Sequence, residues 1–177
     1  AIWCARAIVG DEPFAVFLPD ELLLGNPGCM KQMVDAYEQV GGNLISVLAV
    51  PREEVSSYGV ITPGARRDAL TEILGLIEKP AVADAPSNLI ISGRYILQPE
   101  VMAVLEKQSK GARGEIQLTD AMAQLLGTQP FHALEFAGKR YDCGSKVGFV
   151  EATLALALER EDMADEVRAM AERLLGR

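Results

Sequence analysis

The sequence has few of the residues on which several common classes of protein depend. Three cysteines form no Cys-x-x-Cys pair, and an odd number fits a reducing cytosol better than a disulfide framework. The one histidine, His132, has no partner motif for triad chemistry. No apolar run approaches the ~20 residues that span a bilayer, and no export signal is apparent. The net charge of −8 argues against nucleic-acid binding. We expect a cytoplasmic protein with no membrane or nucleic-acid partner.

What is present is an alternation of strands and helices. With 177 residues, 49% of them hydrophobic, the chain can bury one sizeable core, so we expect a single domain. Apolar runs and helical spacing predict a mixed sheet between helices over 1–145 and a C-terminal helical element over 146–177. The predicted strands are 14–18, 44–50, 60–61 (broken at Pro63-Gly64), 70–77 and 88–97 (interrupted at 93–95), with a hairpin of 131–136 and 140–141. The predicted helices are 29–40, 100–108, 115–126 and 146 to the end, with a break near 160–162.

Four short motifs follow one another at or near the ends of predicted strands. They are Leu18-Pro19-Asp20, Tyr58-Gly59-Val60, Glu78-Lys79-Pro80 and Tyr141-Asp142-Cys143-Gly144. Open α/β sheets bind their ligands at strand ends, so these motifs are candidates for one ligand site.

The residue types in these motifs suit an anionic sugar ligand. Asp20 and Asp142 could hold a divalent cation, Lys79 a phosphate and Glu78 a sugar hydroxyl. Glycine allows a ligand to approach the backbone closely. Taken singly, each motif also fits a plain structural role: a turn aspartate, a solvated charge pair or a turn glycine.

The ordered set, together with Gly-Glu-Ile-Gln-Leu-Thr-Asp at 114–120, resembles the sugar nucleotidyltransferases, and within them the bacterial UTP–glucose-1-phosphate uridylyltransferases. The resemblance implies a three-layer α/β/α, Rossmann-like fold with a mixed, mostly parallel sheet. It implies Mg²⁺-dependent conversion of UTP and glucose 1-phosphate into UDP-glucose and pyrophosphate. It also implies a homo-oligomer (dimer or tetramer) and a product that serves polysaccharide biosynthesis.

The resemblance also implies roles for individual residues. Asp20 and Asp142 would hold the metal, and Asp20 and Lys79 would be catalytic. The substrate-binding positions would be Leu18, Pro19, Gly59, Glu78, Lys79, Cys143 and Gly144, of which Glu78 would bind the glucose hydroxyls and Lys79 the phosphate. The side chain of Cys143 is interpreted as packing. Glu21 stands where the family usually has a second aspartate.

The start of the chain, Ala-Ile-Trp-Cys-Ala-Arg at 1–6, has no initiator methionine and a helical register. The resemblance covers all 177 residues but only the later two-thirds of a family member. We therefore expect this chain to lack the N-terminal part, including a glycine-rich nucleotide loop, and to be inactive alone. Two alternatives stay open: a thymidylyl- or cytidylyl-transferring relative, and a non-catalytic sugar-nucleotide-binding module.

Overall fold

A computed structural model describes residues 1–109 and 116–176 of the chain. After a 3₁₀ turn at Ile2–Ala5, the chain alternates strands and helices, with a second 3₁₀ turn at Arg52–Ser57. The strands are β1 (Phe14–Phe17), β2 (Glu21–Leu24), β3 (Asn43–Ala49), β4 (Gly59–Arg67), β5 (Leu70–Glu78), β6 (Leu89–Leu97), β7 (Phe131–Glu135) and β8 (Lys139–Asp142). The helices are α1 (Arg6–Val9), α2 (Cys29–Val40), α3 (Glu100–Lys107), α4 (Leu118–Leu125), α5 (Lys146–Glu159) and α6 (Ala164–Leu175).

The chain divides into two compact units. The first comprises Ala1–Leu18 and Gly25–Gly138, and the second comprises Pro19–Leu24 and Lys139–Arg177. The single domain and the boundary at residue 145 stay predictions.

The first unit is built on a mixed sheet. Among the described residues, six strands pair in the order β1-β6-β3-β7-β5-β4, with a further pairing of β6 with β4. The first five residues of β3 are all buried, as expected for a strand covered on both faces.

Helices cover both faces of this sheet. Side chains alternate along β3, so Ile45 and Val47 point to one face and share a core cluster with residues of α3 and α4, including Met102 and Met122. On the other face, the α2 residue Cys29 donates through Sγ to Ser46 Oγ at 3.5 Å. The predicted three-layer α/β/α arrangement of a mixed sheet is confirmed.

The prediction that the sheet is mostly parallel is wrong. Among the described pairings, β3 with β7 is the one parallel pair, and all the others are antiparallel. Two residues, Asp68 and Ala69, join β4 to β5, and so short a connection requires antiparallel neighbours. An apolar run marks a strand as buried without specifying its direction, which is why the sequence misled here.

Two strands continue through the breaks that the sequence suggested. β4 runs past Pro63-Gly64, where the register against β5 shifts, so the proline is accommodated at an irregularity of the ladder. β6 runs past Gly93, whose φ of 72° lies in the left-handed region. Its register against β3 shifts there, with Ile45 opposite Tyr95 and Val47 opposite Ile91. Both breaks are therefore bulges rather than strand ends.

The predicted hairpin of 131–136 with 140–141 is also wrong. β7 pairs with β3 and β5, whereas β8 pairs antiparallel with β2, a strand that sequence analysis missed. The β2–β8 ladder belongs to the second unit, where Glu21 lies opposite Asp142.

The helices of the second unit follow β8 directly. The Ser145 hydroxyl caps α5 by accepting the Gly148 N–H at 2.9 Å. Residues 160–163 separate α5 from α6, as predicted. Within the described ranges, no helix is both long and apolar enough to cross a membrane.

Candidate active site

The structure brings the predicted site residues together in two groups, one in each unit. The first group, named here the sugar cluster, consists of Gly59, Glu78, Lys79 and Thr119. The second, the carboxylate cluster, consists of Asp20, Glu21, Arg140, Asp142 and Gly144.

In the sugar cluster, the chain turns sharply where β5 ends. Lys79 has a φ of 48°, unusual for a residue with a side chain, and its N–H donates to the Tyr58 carbonyl at 3.0 Å. Consecutive residues of a strand point to opposite sides. Here the turn places Lys79 Nζ 3.9 Å from Glu78 Oε1, so both charged ends are presented together. Strained residues of this kind concentrate at functional sites.

A buried threonine orients the glutamate. Thr119, in the first turn of α4, donates from Oγ1 to Glu78 Oε2 at 2.7 Å. Thr119 is buried, whereas the Glu78 side chain is 20% exposed. One carboxylate oxygen is therefore held by the protein, and Oε1 lies on the side of Lys79.

Gly59 completes this cluster because a larger residue would not fit. It is the pairing partner of Glu78 across the β4–β5 ladder. A Cβ at this position would lie 3.1 Å from Glu78 Oε2 and 3.3 Å from Thr119 Oγ1. It would also lie 2.9 Å from Ile91 Cδ1, closer than real Cβ atoms come to other atoms, so the Ile91 side chain would have to shift. The glycine thus preserves the Glu78–Thr119 hydrogen bond.

In the carboxylate cluster, two aspartates flank one glycine. The Cys143 N–H donates to the Asp20 carbonyl at 2.7 Å, which joins the segment after β1 to the end of β8. The Gly144 N–H donates to Asp142 Oδ1 at 2.9 Å. A Cβ on Gly144 would lie 3.0 Å from that oxygen and 3.2 Å from Asp20 Oδ2. The two carboxylates therefore lie beside the same backbone position, where a side chain would crowd both.

This pair fits a hard divalent cation such as Mg²⁺ better than a metal that prefers nitrogen or sulfur ligands. The described residues contain no group of three or more His, Cys, Asp or Glu side chains arranged to hold a metal. Mg²⁺ is bound through one or two carboxylates, with waters and substrate phosphates supplying the remaining ligands. Asp20 and Asp142 supply that donor set, all oxygen.

The third acidic residue, Glu21, is held in an ion pair. Arg140 donates from Nε to Glu21 Oε2 and from Nη2 to Oε1, each at 2.6 Å. The Glu21 side chain is 10% exposed and the Arg140 side chain 9%. Burial raises the pKa of Glu21 above its ordinary value of 4.5, against the lowering effect of Arg140, and the nearby Asp142 and Asp20 raise it further. Glu21 is thus a buried, paired side chain.

The last residue of β8, Asp142, is closely packed against α5. A Cβ on Gly148 would lie 2.0 Å from the Asp142 carbonyl oxygen, so the first turn of α5 reaches the backbone of Asp142 directly. The end of β8 is therefore fixed by the start of α5.

The remaining predicted positions lie near these clusters in sequence. The Leu18 carbonyl accepts from Arg94 Nη1 at 3.1 Å, within the first unit. Pro19 is exposed and precedes Asp20. Cys143 is half-buried and contributes the backbone bond to Asp20. Of the 114–120 motif, Gly114 and Glu115 lie outside the described residues.

Sequence analysis missed two of the side chains that shape the clusters. Thr119 belonged to the 114–120 motif, which was expected to serve the fold and to shape the sugar side of the cleft but not to act in the chemistry, and Arg140 belonged to a predicted hairpin. Each has its partner far along the chain, 41 and 119 residues away. The available signal for Arg140 was its spacing: it lies two residues before Asp142, on the same face of a strand.

Comparisons with known proteins identify the family of this chain. The profile of the family described as "Nucleotidyl transferase" matches residues 1–159. The chain is 48% identical over 147 residues to a UTP–glucose-1-phosphate uridylyltransferase of Komagataeibacter xylinus, covering 83% of this chain and 52% of that protein. It is 42% identical over 177 residues to the enzyme of that name from Bacillus subtilis (strain 168), covering 100% of this chain and 61% of that protein.

Among solved structures, a UDP-glucose pyrophosphorylase complexed with UDP-glucose superposes with a TM-score of 0.86 at 40% identity. The alignment covers 90% of this chain and 61% of that one. The chain thus spans between about half and three-fifths of the length of these relatives. The fold, the motifs and the profile agree that the chain belongs to the nucleotidyl transferase family.

Proposed function

We propose that the full-length protein is a UTP–glucose-1-phosphate uridylyltransferase, which makes UDP-glucose and pyrophosphate from UTP and glucose 1-phosphate. The names of the relatives support this assignment, and so does the similarity to a pyrophosphorylase that binds UDP-glucose. The observation that carries the proposal is the sugar cluster, in which a carboxylate and an ammonium group emerge together at one strand end.

Each member of the sugar cluster has a definite task in this proposal. Glu78 accepts hydrogen bonds from glucose hydroxyls, mainly through Oε1, because Thr119 already donates to Oε2. Lys79, 3.9 Å from that oxygen, neutralises charge on the phosphate. A sugar phosphate places hydroxyls and phosphate on one small molecule, so adjacent groups of opposite charge suit it.

The carboxylate cluster would hold Mg²⁺ through Asp20 and Asp142. Bound there, Mg²⁺ supplies positive charge that neutralises the substrate phosphates. Gly144 leaves room beside the two carboxylates and donates to Asp142, which keeps that carboxylate in one orientation.

The reaction needs no nucleophilic side chain. A phosphate oxygen of glucose 1-phosphate attacks the α-phosphorus of UTP, a new P–O bond forms, and the bond to the β-phosphate oxygen breaks to release pyrophosphate. Both reactants are anionic, so positioning and charge neutralisation account for most of the catalysis. The side chains of the two clusters perform those tasks.

The test is an assay of pyrophosphate release by the full-length enzyme, with UTP, dTTP or CTP and glucose 1-phosphate. We expect turnover with Mg²⁺ and a clear preference for UTP. Asp20→Asn should lower kcat by roughly 10²-fold, the scale of one strong electrostatic contact in the transition state. The matched control is Asp165→Asn, which changes an exposed aspartate of the same unit.

A preference for dTTP or CTP would reassign the enzyme to a thymidylyl or cytidylyl branch. Sugar-nucleotide binding without turnover would favour a binding module. Near-normal turnover of Asp20→Asn across a magnesium titration would refute the metal role of Asp20.

We further propose that the enzyme works in the cytoplasm as a homo-oligomer, a dimer or tetramer, and that its product serves polysaccharide biosynthesis. Three free cysteines support a reducing compartment. Large apolar side chains exposed on α5 support association, namely Val147, Phe149 and Val150. Light scattering of the full-length protein would test the oligomer.

A further inference from the structure

Glu21 is an acidic residue next to the proposed metal-binding pair that does not join it. Glu21 precedes the rest of β2 and lies opposite Asp142 in the β2–β8 ladder. Arg140 lies two residues before Asp142 on β8, so the three side chains share one face of the ladder. The pairing of β2 with β8 therefore places a third carboxylate close to Asp142, one of the two proposed metal ligands.

The guanidinium of Arg140 occupies both oxygens of Glu21. Nε and Nη2 each donate to a different carboxylate oxygen at 2.6 Å, the bidentate geometry that arginine forms best. The same Nη2 lies 3.6 Å from Asp142 Oδ2. One nitrogen thus stands between Glu21 and Asp142, and it carries positive charge.

The carboxylates of Glu21 and Asp142 also differ in their exposure to solvent. The Glu21 and Arg140 side chains are 10% and 9% exposed, whereas Asp142 is 33% exposed. A buried charge pair with both partners hydrogen-bonded is costly to open, because either charge would be left unpaired. Glu21 is accordingly held on the inner side, and Asp142 remains accessible with Oδ1 oriented by Gly144.

We propose that Arg140 is a positioning residue that withholds Glu21 from the metal, so that two carboxylates rather than three bind it. This inference rests on the proposed function. A divalent cation with two carboxylates keeps coordination positions and attraction for substrate phosphates, whereas a third carboxylate would occupy a position and cancel further charge. With Glu21 held by Arg140, the metal is bound less tightly but can still bind the substrate phosphates.

The test measures Mn²⁺ affinity by electron paramagnetic resonance in the full-length enzyme without nucleotide, and kcat/KM in parallel. Arg140→Met removes the guanidinium group that binds both Glu21 oxygens but keeps a long side chain, so it releases Glu21. We expect the Mn²⁺ Kd to fall about tenfold, because each added carboxylate tightens a cation site. We expect kcat/KM to fall about tenfold or more, the scale of an outer-shell change.

The double variant Arg140→Met/Glu21→Gln should return the Mn²⁺ Kd to the wild-type value, because the released carboxylate is gone. Arg160→Met is the matched control, since Arg160 pairs with Asp162 on the exposed surface of the same unit. It should change neither quantity. A purely structural arginine would weaken metal binding or leave it unchanged, so either result for a folded Arg140→Met would overturn the proposal.

If Arg140→Met does not fold, Glu21→Gln alone decides. A withheld carboxylate contributes little to metal binding, so we expect a Kd within about twofold of wild type. A tenfold weaker Kd would mean that Glu21 is itself a ligand and would overturn the proposal. Asp142→Asn distinguishes a failure of this inference from a failure of the proposed metal site. Unchanged Mn²⁺ binding in that variant would refute metal binding by Asp20 and Asp142.

Discussion

We predict that the Thr119–Glu78 hydrogen bond orients the carboxylate of the sugar cluster. Thr119→Val keeps the shape of the side chain but removes the hydroxyl that donates to Glu78 Oε2 at 2.7 Å. A hydrogen bond to a charged group contributes about 1.5–3 kcal/mol. The Glu78 side chain is 20% exposed, so water can replace part of the loss. We therefore expect the free energy of unfolding to fall by about 1–1.5 kcal/mol.

Thr119→Val should affect the binding of glucose 1-phosphate more visibly than the stability of the fold. Without its donor, Glu78 can rotate, and the carboxylate is no longer pre-positioned for glucose hydroxyls. If binding of glucose 1-phosphate loses about 1.4 kcal/mol, its KM rises about tenfold. The assays are urea unfolding and steady-state kinetics at saturating UTP, both on the full-length enzyme.

Two variants control this experiment. Thr119→Ser retains the hydroxyl and should keep KM within about twofold of wild type, since the donor remains. Thr128→Val removes a hydroxyl that donates to the Leu125 carbonyl at 2.8 Å, outside the sugar cluster. It should reduce stability without raising KM. Equal kinetics for Thr119→Val and Thr128→Val would refute the orienting role of Thr119.

Two further predictions concern packing and protonation. Gly59→Ala should raise the KM for glucose 1-phosphate and destabilise the fold by about 1–3 kcal/mol through overpacking. Gly28→Ala, where a Cβ meets nothing within 4 Å, should leave that KM unchanged. Equal kinetics for the two variants would contradict the close fit at Gly59. Burial raises the pKa of the Cys29 thiol above 9.0. The folded state therefore holds that proton more tightly, and the contribution to stability is complete below pH 9.0 and declines as pH rises through the raised pKa. A thiol reagent at pH 8 should modify exposed Cys4 quickly and Cys29 only on unfolding, and fast labelling of Cys29 in the folded protein would contradict its burial.

Local signals in the sequence predicted where helices and strands lie better than which strands pair with one another. Helix α2 was predicted at its observed bounds because apolar residues from Met30 to Val40 lie at helical spacing and the glycines at 41–42 end the helix. The pairing of β7 and β8 was predicted wrongly because adjacency in sequence favours a hairpin. The actual partners, β3 and β5 for β7 and β2 for β8, begin far earlier in the chain.

The same distinction applies to the site. Glu78, Lys79, Asp20 and Asp142 were predicted because each belongs to a short motif at a strand end and because the family resemblance implied their roles. The contacts that orient them depend on residues brought in by the fold, such as Thr119 for Glu78. No spacing rule along the chain reports such a contact.

In the proposed function, Glu78 recognises the sugar while Lys79 neutralises the phosphate. The most direct measurement is kcat/KM for glucose 1-phosphate, galactose 1-phosphate and a deoxy analogue in wild type, Glu78→Gln and Lys79→Met. Glu78→Gln should reduce the preference for glucose by about tenfold or more, because a site built for a hydroxyl strongly rejects its absence. Lys79→Met should lower kcat/KM for all three sugars by a similar factor. A Glu78→Gln enzyme with unchanged sugar preference would refute the role of Glu78 in recognising the sugar.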